Sequence, residues 1–157
     1  MEMFYADETG FEEHYSRTCG YSQRSKRVHG AVPGTRRHRR VSIIGVINQN
    51  NVFLAGFAFK GYMNSDLFTG WLEYVFAPSL KNSTKSIIII DNASHHPKKR
   101  IYDIAEKYGF FVIFLPKYSL DLNKIEKYWA NIKNWLHLHL EKCDSFSSAL
   151  VRAFRCR

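Results

Sequence analysis

Apolar residues fall along this chain in runs whose period changes, and the runs predict its elements. Residues 3–6 form a short apolar run that stops at Asp7, which predicts a strand. Residues 8–40 are polar, basic and broken by Gly10, Gly20, Gly30, Pro33 and Gly34. They predict an excursion from the core, with a small hairpin around 26–32. Residues 41–47 and 52–59 are strand-like, and Asn48, Gln49, Asn50 and Asn51 supply the turn between them. In 65–76, Leu67, Phe68, Trp71, Leu72, Val75 and Phe76 recur at helical spacing, with Asn64 or Ser65 as the cap.

The second half alternates more regularly. Residues 86–90 read Ser-Ile-Ile-Ile-Ile, a pattern expected of a strand buried on both faces. Residues 98–108 predict a helix with Ile101, Ile104 and Ala105 on one side and Gly109 past its end. Residues 110–115 predict another buried strand, closed by Pro116. Residues 121–140 predict a long amphipathic helix with the stripe Leu122, Ile125, Trp129, Ile132, Leu136 and Leu140; a shorter helix follows over 145–154. A hairpin leading into βα units implies an α/β domain with a mixed five-stranded sheet and helices on both faces. The ribonuclease H-like fold has this order of elements, an analogy that does not by itself give function. The 157 residues fit one domain, 1–157, with a basic insertion at about 10–40.

Composition narrows the class. At 45% hydrophobic the chain suits a globular fold, and no apolar run approaches the roughly 20 residues of a membrane-spanning helix. No basic stretch followed by an apolar one marks a signal peptide, so no membrane partner is expected. Cys19, Cys143 and Cys156 are scattered and odd in number, which argues against a disulfide framework or a zinc cluster and fits a reducing cytoplasm.

Charge adds a partner. The net charge is +9, and residues 14–65 hold nine Lys or Arg and no Asp or Glu. The remaining residues balance, with 14 basic against 14 acidic. The excess therefore sits in one third of the chain. Arg24, Lys26, Arg27, Arg36, Arg37, Arg39 and Arg40 are candidate DNA-binding residues, since basic side chains displace counterions from a phosphate backbone. A solvated basic surface kept for solubility is the competing reading.

Three carboxylates occupy informative places. Asp7 and Asp91 each end a predicted strand, where ligands bind in open α/β sheets. Glu126 lies four residues after Leu122 and three before Trp129, along the apolar stripe. A carboxylate facing a core is costly unless a cation or hydrogen bonds compensate it. Divalent metal shared among the three would do so, and Mg²⁺ prefers carboxylate oxygens. Taken singly, Asp7 also reads as a turn cap, Asp91 with Asn92 as a turn after a strand, and Glu126 as a partner of Lys127 or Lys133.

Asp-Glu-Thr-Gly at 7–10, Asp-Asn-Ala-Ser-His-His at 91–96 and Tyr-Ser-Leu-Asp-Leu-Asn-Lys-Ile-Glu-Lys-Tyr-Trp-Ala-Asn-Ile-Lys at 118–133 resemble the mariner-like superfamily of DDE transposases. The likeness is closest to its bacterial insertion-sequence branch, the six-thirty family. It spans 4–149, and the 34 residues between Asp91 and Glu126 match the superfamily's spacing. The resemblance implies that Asp7, Asp91 and Glu126 are catalytic and hold two Mg²⁺ (or Mn²⁺) ions. Asn92, His96 and Asn123 match positions that support the site. His96 is open to two roles, contacting a DNA phosphate or starting the next helix. The implied activity is DNA strand cleavage and strand transfer in transposition, on transposon ends and target DNA, by a homodimer on DNA.

Two departures from the family pattern bear on this copy. Leu120 and Lys124 stand where the family has proline, which is expected to loosen the approach to Glu126. The helix-turn-helix domain that usually precedes the first catalytic strand is expected to be missing, since Met1 stands directly before that strand. The expectation is an upstream helix-turn-helix product joined by frameshifting, or a fragment. The rival readings are a host nuclease of ribonuclease H type and a catalytically silent DNA-binding or dimerising remnant.

Overall fold

The computed structural model describes residues 1–13, 40–80, 85–94, 96–116 and 119–155. The strands β1 (Glu2–Glu12), β2 (Arg40–Asn48), β3 (Phe53–Phe59), β4 (Ser86–Ile90) and β5 (Phe111–Phe114) form one sheet in the order β3-β2-β1-β4-β5. β1, β2 and β3 pair antiparallel, while β4 is parallel to both β1 and β5. The mixed five-stranded sheet expected from the sequence is therefore present. The hairpin expected around 26–32 lies outside the described residues.

Side-chain alternation divides the sheet into two faces. Phe4, Ala6, Ile44, Val46, Ile88 and Ile90 face α1 (Ser65–Trp71), α2 (Ala77–Ser79) and α3 (Lys98–Tyr108). Tyr5, Phe11, Ile43 and Ile47 face α4 (Ile125–His139) and α5 (Phe146–Arg155). Asn64 caps α1 through its side-chain oxygen, which accepts from Leu67 N at 2.8 Å. Between α1 and α2 the helix widens into a π turn over Leu72–Phe76, so the expected helix runs on to Ser79. Gly109 ends α3 at φ 73°, the left-handed conformation that glycine adopts without strain.

Four expectations are corrected. β1 does not stop at Asp7 but runs on to Glu12, with residues 7–12 paired to β2. Glu8, Thr9 and Gly10 read as a loop because only their backbone needs to pair there. β5 is an edge strand, so Phe111 and Ile113 are exposed on one face where a fully buried strand is expected from the sequence. β4 is likewise fully covered on one face only, Ile87 and Ile89 being half-buried. Leu122 is exposed and belongs to a 3-10 turn over Leu120–Leu122; α4 starts at Ile125. Helical spacing cannot distinguish a helix from the turn that feeds it.

Close packing of α4 on the sheet depends on Gly45. β3 bulges opposite it, where the register shifts and Ala55 takes φ 48°. The Phe53 ring fills the space over Gly45 and stacks on Tyr128 of α4 at 5.5 Å and 2°. A Cβ on Gly45 would stand 2.4 Å from that ring. The ring has little room to yield, since Trp129 and Phe154 also pack against it. Gly45→Ala should therefore destabilise the fold by roughly 1–3 kcal/mol, as overpacked cores do. Urea unfolding will check this, and a midpoint equal to that of the wild type would contradict it.

Candidate active site

Asp7 lies in the middle of β1, with its side chain on the face that α4 covers. Its antiparallel neighbour is Gly45, which has no side chain to crowd it. On its other side β1 runs parallel to β4, Tyr5 pairing with Ile89. Continued by two residues, that register brings Asp7 level with Asp91, just where β4 has ended. Neighbouring strands lie about 4.8 Å apart, so two acidic residues stand side by side at the level where the sheet opens.

α4 supplies the third. Glu126 is half-buried in its first turn. Asn123, immediately before the helix, is buried and donates from Nδ2 to the carbonyl of Ala6 at 3.2 Å. Its own carbonyl accepts from Glu126 N at 3.1 Å. One residue thus ties the start of α4 to the strand position preceding Asp7 and sets the turn carrying Glu126.

Asp91 is held from the other side of the sheet. His96 Nδ1 lies 3.1 Å from Asp91 Oδ1 and 3.2 Å from the Asp91 carbonyl oxygen. Both are acceptors when the carboxylate is ionised, so Nδ1 carries the proton. The imidazole is buried and packs on Phe68 of α1 with ring centroids 4.1 Å apart. In this geometry the imidazole orients the Asp91 carboxylate. Asn92 follows in the same loop, half-buried.

The electrostatics ties the three acids together. The Asp7 carboxyl is pushed up from 3.8 to about 8, by loss of water around it first, then by the negative charges of Glu126, Asp91 and Glu8. A hydrogen bond from the Glu8 backbone opposes the rise. Glu8, on the opposite face of β1, is also raised by burial; the Asp91 charge adds to this and His96 offsets it. Hydrophobic patterning does not single out Glu8, because residues 8–10 carry no apolar trace of a strand. In an extended β1, alternation alone puts its carboxyl opposite that of Asp7.

Among the described residues, no three His, Cys, Asp or Glu side chains are arranged to grip an ion as they stand. The donor set nevertheless suits a hard divalent cation. It is all oxygen, partly buried, and mutually repulsive enough that Asp7 keeps its proton without one. Mg²⁺ retains several waters, so a full protein cage is not required.

The remaining site candidates are basic. Arg40 is exposed at the start of β2, its guanidinium 5.2 Å from the centroid of the Tyr62 ring. Arg24, Lys26, Arg27, Arg36, Arg37 and Arg39 lie outside the described residues. No helix among the described residues is long and apolar enough to cross a membrane.

Comparison with known proteins adds a family. The model of the DDE superfamily endonuclease matches residues 2–147. No curated protein matches the chain. Among solved structures, it is similar to the Mos1 transposase in a paired-end complex with the left transposon end, at 17% identity and a TM-score of 0.65, covering 98% of this chain and 51% of that one. A Mos1 mariner paired-end complex with Mn is similar at 14% identity and a TM-score of 0.62, covering 98% and 52%. The catalytic core domain of BIV integrase is similar at 12% identity and a TM-score of 0.53, covering 97% and 80%. The sheet and its helices thus form the ribonuclease H-like fold of these catalytic cores. The chain spans about half the length of the Mos1 chains.

The raised Asp7 carboxyl has a consequence for stability. Between its unfolded value of 3.8 and its folded value of about 8, the folded state holds a proton that the unfolded state has lost. Raising the pH through this window removes that advantage, so metal-free stability falls by up to about 1.4 kcal/mol per pH unit from this group. Asp7→Asn should remove this contribution and leave the variant more stable than the wild type near pH 8 in EDTA. Equal pH slopes for both proteins in urea unfolding would show that Asp7 is not strained by its neighbours.

Proposed function

The chain belongs to the DDE superfamily endonucleases, and from that premise we propose that it is the catalytic domain of a DNA transposase that cleaves strands and joins them to a target. The observation that carries this reading is that Asp7, level with Asp91 across the β1–β4 register, feels the charges of both Asp91 and Glu126, three acids from separate elements. The motif at 118–133 and the 34-residue spacing favour the bacterial six-thirty branch.

In this reading Asp7, Asp91 and Glu126 would hold two Mg²⁺ or Mn²⁺ ions. When bound, such ions would supply activation of the attacking oxygen and stabilisation of the leaving oxygen in an in-line displacement at phosphorus. Asp7 would serve that site as the carboxylate. His96 keeps the Asp91 carboxylate turned toward its neighbours. Asn123 keeps Glu126 at the level of Asp7, and Asn92 supports the loop that carries Asp91. Water is the first nucleophile and frees a 3′-hydroxyl, which then attacks target DNA. No covalent enzyme–DNA intermediate is involved, so no Ser or Tyr nucleophile is needed.

The partners are transposon-end and target DNA and a second copy of the chain on that DNA. Arg24, Lys26, Arg27, Arg36, Arg37, Arg39 and Arg40 clamp phosphates, which positions DNA without reading its sequence. The silent-remnant reading rests on the loss of two prolines. Lys124 has φ −59°, the angle that proline would impose, so its backbone keeps the turn without the ring.

Asp91→Ala should lower Mg²⁺-dependent strand transfer from pre-cut ends on the order of a thousandfold, about 4 kcal/mol of barrier, while its circular dichroism stays that of the wild type. Transfer near the wild-type rate would take Asp91 out of the mechanism. Replacing Arg36, Arg37, Arg39 and Arg40 together with Ala should flatten the salt dependence of DNA binding by about 0.9 in slope for each phosphate no longer neutralised. An unchanged slope would mean that this segment does not clamp DNA.

A further inference from the structure

Between the start of α4 and the turn joining β2 to β3 lies a groove of about 570 Å³ lined by Gln49, Asn51, Lys124, Lys127, Tyr128 and Asn131. Its lining contains two ammonium groups, three carboxamides and no carboxylate. Lys124, Lys127, Gln49, Asn51 and Asn131 are all exposed. Neither lysine forms an ion pair with a described residue. The Lys124 ammonium lies 5.4 Å from the centroid of the Tyr5 ring, which holds it near the sheet. The floor is Tyr128, which is buried and stacked on Phe53, so no open aromatic face is offered to a base.

We infer that this groove binds the phosphodiester backbone of a DNA strand; the inference rests on the transposase reading for its choice of polyanion. Two cations with amide donors between them match phosphate oxygens and carry no base code. Lys124, Lys127, Tyr128 and Asn131 recur at the i, i+3, i+4, i+7 spacing of one helix face, so the two cations and the Asn131 amide line the groove together.

Lys124 also gains a meaning. It stands where the related family pattern has proline, and its φ of −59° is one that proline adopts. The backbone is unchanged by the exchange, while the side chain adds a cation to the groove. The departure supplies a phosphate contact that proline cannot make.

The test is duplex binding in EDTA, by fluorescence anisotropy of a labelled duplex of arbitrary sequence, over a range of NaCl. Lys124→Met with Lys127→Met should lower the salt slope by nearly 2, about 0.9 per phosphate. Lys124→Pro alone should lower it by about 0.9 and leave the circular dichroism unchanged. The charge-matched control, Lys99→Met with Lys142→Met, should keep the wild-type slope. Replacing chloride by inorganic phosphate at constant ionic strength should leave the difference between wild type and groove variant intact. An unchanged slope in the groove variants, or an equal fall in the control, overturns the groove. So does disappearance of the difference in phosphate, which would mark a free-anion site. If the slopes fail while wild-type strand transfer proceeds, the groove is wrong and the transposase reading stands. If the slopes hold while the wild type transfers no strand, the groove stands and the catalytic reading falls.

Discussion

Asp7 sits in mid-strand with its carboxyl facing a helix, and a charge there costs free energy unless something answers it. Water is partly excluded, and the acids that share the space, Glu126 and Asp91, make the cost larger. Without a cation the group answers by keeping its proton well above the usual carboxylate range. With one, the same repulsion becomes binding energy for the ion. Much of the surrounding architecture serves to impose this strain and keep it in place.

Several local features combine to do so. β4 ends at Ile90, so the sheet opens on one side of Asp7 just where Asp91 begins. Gly45 leaves the other side without a side chain and lets Phe53 and Trp129 come close. Asn123 pins α4 to the strand through the Ala6 carbonyl, and His96 steadies Asp91 from the layer of α1. None of these residues needs to touch a substrate. They fix where three flexible carboxylates point, and a site that must present oxygens to a metal depends on that.

Burial made much of the fold legible in the sequence. The isoleucine run of β4, the glycine after α3 and the stripe from Ile125 to Leu136 stand out because burial leaves a periodic trace. The three acids stand out because they interrupt or end such runs. What stays hidden depends on tertiary pairing. The outer half of β1 is polar and is a strand only because β2 lies beside it. Exposure on β5 follows from its edge position, which no residue in β5 announces. The role of Asn123 is a contact across 117 residues of chain, and the groove along α4 joins a turn to a helix far away in sequence.

The fold is that of transposase and integrase catalytic cores, and the central claim is that its three acids form one metal site. Crystals of the wild-type protein grown with Mn²⁺, with anomalous scattering collected at the manganese edge, test it most directly. The account predicts manganese within about 2.0–2.6 Å of carboxylate oxygens of Asp7 and Asp91, with Glu126 turned to the same site. Manganese bound to other residues, with Asp7, Asp91 and Glu126 all free of it, would contradict the account.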